Sequence, residues 1–579
     1  MHSPRVWAPR AQSLTMACQG QQIPLLSEAG GWWRLPPEKS LEHGEDYAFW
    51  VDAAGPFPDP RSRWQPEGVH GPSRHFDPAR FNWTDRGWRP LPLSAAIIYE
   101  LHIGTFTAVG TFAGAIERLD ELIELGITHV ELMPVASFPG VHGWGYDGVS
   151  LYAPHQPYGG PAGLQRLVDA CHQRGLAVLL DVVYNHLGPS GNYLDRFGPY
   201  FTDRHTTPWG DAVNFDGPGS DEVRRFFIDN ALMWLRDYHF DGLRIDAVHA
   251  IIDTSAIHFL EQLASEVSAL EGALGRQPLL IAESDLNQPR IVEPSASGGY
   301  GLNAQWNEDF HHALHSCLTG EENGYYRDFG GLAELARVFT EGFAYAGRYS
   351  AYRQRRHGRS ARHLSGRQLV ACLQNHDQIG NRALGERTSQ LLSPELLKIG
   401  AALVLLGPFV PLLFQGEEWA ASSPFLYFTD HQEAELGAAV RQGRQREFAA
   451  FGWDPAEIPD PQARQSFVRS KLDWQEKTRD KHAELLAWHR ALIEVRRHST
   501  ALTDGNLRAV QVSYDEEQRY LLLSRGAFWI VCNFSSRPRR IPLAGAEQLQ
   551  LILASCETIK LVDGQLDMPT CGVAILASR

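Results

Sequence analysis

Cysteine is sparse and without pattern. Seven thiols, Cys18, Cys171, Cys317, Cys372, Cys532, Cys556 and Cys571, are scattered through 579 residues with no CxxC pair. An odd, dispersed set signals neither a disulfide framework nor a zinc site, and a reducing cytoplasm is the expected setting. Long apolar runs are missing too. The longest, 399–414, contains Pro408 and Pro411 and is too short to span a bilayer, and the opening residues 1–7 lack the apolar core of a signal peptide. No membrane partner is expected. Positive charge is in deficit: 53 Lys and Arg against 68 Asp and Glu leave a net charge of −15, which disfavours nucleic acid as a partner. The basic stretch 353–367, with Arg355, Arg356, Arg359 and Arg362, reads as a solvated loop in preference to a local anion patch. Internal repeats and low-complexity tracts are absent.

What is present belongs to a globular chain of several units. Hydrophobic residues make up 43% and charged residues 21%, which excludes disorder and coiled coil. Residues 1–92 are short extended runs broken by Gly and Pro, expected to form an N-terminal β-sandwich and linker. From Ala95 the pattern changes to short apolar runs alternating with amphipathic segments. Strands are expected at 97–107, 128–135, 177–185, 242–248, 279–283, 302–306, 369–375 and 410–415, with helices such as 112–125, 161–174, 221–238 and 257–270 between them. Eight such units, with no GxGxxG after a strand, fit a (β/α)₈ TIM barrel over 93–498 better than an open doubly wound sheet. After a helix at 479–497, residues 499–579 return to alternating runs and are expected to form a C-terminal β-sandwich.

In such a barrel the working residues sit at the carboxyl ends of the strands, and here those ends are polar. The runs are Asp181-Val-Val-Tyr-Asn185-His186, Gly242-Leu-Arg244-Ile-Asp246-Ala-Val-His249, Leu280-Ile-Ala-Glu283-Ser-Asp285 and Gln374-Asn375-His376-Asp377-Gln378. Strand alternation puts Arg244 and Asp246 on the inward face and Leu243 and Ile245 on the outward one. An Arg beside Asp246 favours its charged form, whereas desolvation at the end of the apolar run 279–282 raises the pKa of Glu283. Two carboxyls pushed apart in this way suit a nucleophile and a proton donor, the pair that glycoside cleavage needs. Any one strand-end acid is explained as well by capping or a surface ion pair; acidic or His-bearing ends on four strands of one barrel are not. Loop aromatics Trp144, Tyr146, Tyr158, Trp209, Trp306 and Trp419 suit a sugar ligand, and Trp144 and Tyr146, in a Gly-rich loop after the second strand, stand out.

At these motifs the chain resembles the α-amylase superfamily of retaining glycosidases. The supporting Gly145-Tyr146-Asp147 loop and the 407–417 run match as well. The resemblance implies that Asp246 is the nucleophile, Glu283 the general acid/base and Asp377 the transition-state stabiliser. It implies substrate-binding roles for Tyr146, Asp147, His186, Arg244, His376 and Arg382, with Tyr146 stacking beneath the sugar. It implies no cofactor, and the superfamily's calcium is not expected, because the insertion 187–219 is short and no dense Asp/Asn loop of calcium type is present. Longer stretches, 374–387, 414–425 with 428–431, 305–315 and 349–358, look like the maltooligosyltrehalose trehalohydrolase family within it. That likeness implies hydrolysis of the α-1,4 bond next to a terminal trehalose unit, with maltooligosyltrehalose and related α-glucans as partners. Because the same three acids serve the whole superfamily, a glucan branching or debranching enzyme or another amylase-type hydrolase stays open. A catalytically silent glucan-binding protein is disfavoured by the intact acids.

Overall fold

The computed structural model describes residues 4–449 and 454–579; the first three residues of the opening segment discussed above lie outside the described residues. Eight parallel strands close into one barrel: β1 (Ile98–Leu101), β2 (His129–Leu132), β3 (Ala177–Val182), β4 (Gly242–Ile245), β5 (Leu279–Ala282), β6 (Ala304–Trp306), β7 (Leu369–Cys372) and β8 (Val410–Phe414), with β8 pairing back onto β1. All eight expected strands are present, and most end before the apolar run that announced them, because the polar residues that follow turn into the barrel mouth. The largest difference is at 97–107. The strand stops at Leu101 and Ile103–Phe106 makes one helical turn, held by a 3.0 Å hydrogen bond between His102 Nδ1 and Thr105 Oγ1.

The period of two along each strand sorts the barrel interior into layers. Ile98, Leu179, Ile281, Val370 and Leu412 fill the lower interior with hydrocarbon. Two residues further along, the same face carries Glu100 on β1, Asp181 on β3 and Glu283 just beyond β5. Register completes the polar upper layer: Glu131 lies beside Glu100, and Arg244 beside Asp181.

Helices α1 (Gly160–Gln173), α2 (Ser220–Asp237), α3 (Phe259–Ala269), α4 (Glu308–Thr319), α5 (His376–Gly380), α6 (Pro394–Leu406) and α7 (Asp480–Arg497) lie around or cap the strands. Within α2, Asp221 and Glu222 occupy the first turn and Arg236 the last, matching the helix dipole. The expected helix 112–125 is two pieces, Phe112–Ile116 and Leu119–Leu125, because Arg118 sits at φ −113° and ψ 0°. Helix α6 is apolar nearly all round because the barrel covers one side and the C-terminal sheet the other. Its carboxyl end is closed by two buried arginines: Arg496 donates to the carbonyls of Leu405 and Phe409 at 2.7 and 2.9 Å, and Arg525 to those of Leu406 and Gly407 at 2.8 and 2.6 Å.

Antiparallel sheets flank the barrel. On the N-terminal side, Leu14–Cys18 and Asp46–Val51 centre a five-stranded sheet, and Trp32–Arg34 centres a three-stranded one. At the C-terminus a five-stranded sheet, Val510–Asp515, Tyr520–Arg525, Phe528–Asn533, Gly572–Ser578 and Leu549–Ala554, faces a three-stranded one across Val531, Ile541, Leu566 and Leu576. The basic stretch forms the solvated hairpin Arg348–Ser350 with Arg355–His357; Arg355, Arg356, Arg359 and Arg362 are exposed, and Arg353 pairs with Asp285 at 2.9 Å. No helix among the described residues is long and apolar enough to cross a membrane.

Candidate active site

The site is assembled around Arg244. Its side chain is fully buried and its guanidinium lies 4.2 Å from the centre of the Trp306 ring. Register places it opposite Asp181, and Nη1 donates to both Asp181 oxygens at 2.7 Å and to Asp246 Oδ1 at 2.8 Å. Nη2 lies 3.6 Å from Glu283 Oε2. One guanidinium therefore gathers carboxyls from the ends of β3, β4 and β5, a fork that no ammonium reproduces.

Glu283 is set by its surroundings. Burial pushes its carboxyl up to about 8; Arg244 opposes the shift, while Asp246 and Asp377 add to it. At neutral pH it is a proton donor. Its Oε2 also accepts the backbone N–H of Ala247. That residue stands in the left-handed region at φ 39° without being glycine, a local strain that aims its amide at Glu283. Burial also pushes Asp181 up, to about 6, against the pull of Arg244.

Asp377 comes from α5. Asn375 caps that helix, its side-chain oxygen accepting from the amides of Asp377 and Gln378 at 3.0 and 3.1 Å. The Asp377 side chain is 40% exposed, with His376 Nε2 at 3.5 Å from its Oδ1. It faces the open side of the site, so it is accessible to a ligand. Trp144 packs so closely under α5 that a Cβ on Gly380 would lie 2.0 Å from its indole. Contrary to its expected prominence, Trp144 is buried, donates its indole N–H to Leu426 O at 2.9 Å and supports the site from beneath. Tyr158, Trp306 and Trp419 are buried as well.

Gly145, at φ 106° and within 2.3 Å of Pro134 O from where its Cβ would stand, turns the loop so that Tyr146 enters the mouth. The Tyr146 hydroxyl donates to Asp181 Oδ2 at 2.6 Å, and its ring stacks on His376 at 5.1 Å. His186 contacts Asn185 Oδ1 at 2.8 Å and Tyr146 O at 3.1 Å, and lies flat against the exposed Trp209 at 4.6 Å. Burial lowers its imidazole. Asp147, raised by burial, lies 3.8 Å from His431 Nε2. Asp147, His186, Trp209, Tyr427 and His431 line a cleft of about 1030 Å³. Arg382 is held by Glu321 in a two-point pair at 2.9 and 3.0 Å, with Glu386 3.6 Å from its Nε.

Sequence reasoning passed over Glu100 and Glu131, and took Glu308 only as part of the 305–315 stretch. Glu308 opens α4, is pushed well up by burial, with Glu283, Asp285 and Asp377 adding to the shift, and shares the mouth with them. Glu100 and Glu131 are single acids inside otherwise apolar strand runs, which was the signal available to find them.

Three comparisons bear on this arrangement. The family model for the alpha amylase catalytic domain matches residues 77–206. A malto-oligosyltrehalose trehalohydrolase from Arthrobacter ramosus is 53% identical over 546 residues, 93% of this chain and 94% of that one. One from Mycobacterium tuberculosis is 48% identical over 577 residues, covering 99% and 98%. An amylase-like protein from Salmonella typhimurium has a crystal structure that superposes with a TM-score of 0.91 at 37% identity, covering 99% of this chain and 97% of its own.

Proposed function

The chain belongs to the malto-oligosyltrehalose trehalohydrolase family of α-amylase-type glycoside hydrolases, and from that premise we propose that it cleaves the α-1,4-glucosidic bond next to the terminal trehalose unit of maltooligosyltrehalose, with net retention. The Asp246 carboxylate attacks the anomeric carbon while Glu283 gives its proton to the departing oxygen of trehalose. Water, deprotonated by Glu283, then displaces Asp246 and releases the maltooligosaccharide. Asp377, with its side chain 40% exposed, accepts hydrogen bonds from sugar hydroxyls that strengthen as the ring flattens in the transition state. Arg244, His186 and His376 hold the sugar at the cleavage point, Tyr146 lies beneath it, Asp147 borders it and Arg382 fixes the 321–326 segment alongside.

The observation that carries this reading is the Arg244 fork, bonded to Asp246 at 2.8 Å and 3.6 Å from a Glu283 raised to about 8. A branching enzyme from Geobacillus stearothermophilus is 32% identical over 52% of the chain, so the shared acids alone do not select the substrate. Turnover of maltohexaose is to be compared with that of its trehalose-capped counterpart. The reading expects preference for the capped substrate with release of free trehalose; equal turnover, or products without trehalose, would overturn it.

A further inference from the structure

The first two barrel strands carry acids that the reaction above does not use. Glu100 and Glu131 lie side by side on β1 and β2, each about 1% exposed. Neither carboxyl oxygen of Glu131 has a hydrogen-bond partner, and burial, reinforced by Glu100, pushes this group well up. Glu100 is used differently. Its Oε1 meets His376 Nδ1, and its Oε2 accepts the His376 backbone N–H at 3.0 Å. Both contacts fall on the residue immediately before Asp377.

The proton count at the other ring nitrogen is informative. Tyr146 has one hydroxyl proton, and it points to Asp181 Oδ2 at 2.6 Å. The same hydroxyl oxygen lies 2.8 Å from His376 Nε2, which is therefore left as the donor. With Nδ1 against a carboxyl and Nε2 against an oxygen whose proton is already committed, both ring nitrogens carry protons. The charges agree with that count: burial alone would lower the imidazole, but Asp377 and Glu100 outweigh it and raise it to about 9. The groups facing the ring are Glu100 from β1, His102 just after β1, Glu131 from β2, Tyr146, Asp181 from β3, Arg244 from β4 and Asp377 from α5 itself.

We propose that Glu100 is a positioning residue, which keeps His376 doubly protonated and fixed in orientation so that Asp377 and Tyr146 present a set geometry to the sugar. Glu100 touches no substrate; it acts through His376. A chain of buried hydrogen bonds, Glu100 to His376 to Tyr146 to Asp181 to Arg244, links the first strand to Asp246. The inference rests on the roles given above to His376 and Asp377.

Two measurements test it. Glu100→Gln keeps an acceptor for the His376 amide but removes the charge. Its kcat on trehalose-capped maltooligosaccharide is expected to fall about tenfold to a hundredfold with little change in KM. The alkaline limb of its kcat/KM profile is expected to move at least about one pH unit toward acid, because His376 then loses its proton before Glu283 does. A loss of activity with an unshifted limb, or unchanged activity, overturns the proposal. The second measurement needs no substrate: ¹⁵N spectra of histidine-labelled wild-type protein, with the His376 signals identified by their loss in His376→Asn. Two protonated ring nitrogens at pH 7.5 support the inference, and a neutral ring overturns it. Should the wild-type protein fail to turn over the capped substrate, the proposed function falls while the ring spectrum still decides the state of His376.

Discussion

Two clusters of buried charge, one at each end of the barrel, use the same residue types to opposite ends. At the lower end Asp241 accepts from Trp88 Nε1 at 2.9 Å and from the Val178 amide at 2.9 Å, contacts His172 Nε2 at 3.0 Å, and lies 3.1 Å from Arg276 Nε. Asp85 is held by His172 and His239, each at 2.8 Å, and these imidazoles outweigh burial and keep its carboxyl well below the usual range. At the mouth, burial wins instead: Glu283 and Asp181 are both raised, although Arg244 sits beside them. Nε and Nη2 of Arg244 have no protein hydrogen-bond partner. The lower cluster pairs each of its acids with at least one imidazole and clamps the linker around Asp85 and Trp88 to the barrel. The upper one gathers raised acids around a single guanidinium, the arrangement expected of a site that trades protons.

Substitutions separate the two most sharply at the mouth. Glu283→Gln keeps shape but cannot donate a proton, so kcat is expected to fall by about 10³-fold to 10⁴-fold while calorimetric binding of oligosaccharide persists. Arg244→Lys keeps the charge but loses the fork, and steady-state kinetics should show kcat lower by about 10²-fold. The lower cluster should respond in stability alone. Asp85→Asn leaves His239 without its acid and His172 with Asp241 alone, and is expected to cost about 3 kcal/mol in denaturant unfolding, with kcat unchanged.

Changing pH is the milder probe of the same contrast. At the mouth, kcat/KM should fall about tenfold per unit above the Glu283 value, because the alkaline form has lost the proton it must donate. In the lower cluster, Asp85 is lowered and His172 is raised despite burial, by Asp241 and Asp85. The Asp85 contribution is present above the ordinary Asp value and lost as pH falls through its lowered one. That of His172 is full below the ordinary His value and lost as pH rises through its raised one. Stability from this cluster is therefore greatest between about pH 4 and pH 6.5, and Asp85→Asn should flatten that dependence in unfolding measured across the range.

The barrel was legible because eight apolar runs with polar ends carry a period that survives folding. The Arg244–Asp246 pairing was legible because strand alternation alone puts both on one face. Trp144 was not, since a loop position says nothing of the Leu426 carbonyl and Gly380 backbone that enclose it. Neither was the commitment of Arg382 to Glu321, a pairing between residues 61 apart. Glu100 and Glu131 escaped because an acid inside a strand run reads as an interruption until register sets the two side by side beneath His376.

The most direct measurement is proton NMR of the first products formed from trehalose-capped maltohexaose, taken before the reducing end mutarotates. Free trehalose together with a maltooligosaccharide in the α-anomeric form is the predicted result. A β-anomer, or a mixture of linear fragments without trehalose, would contradict the assignment of Asp246 and Glu283 as a retaining pair poised at the trehalose bond.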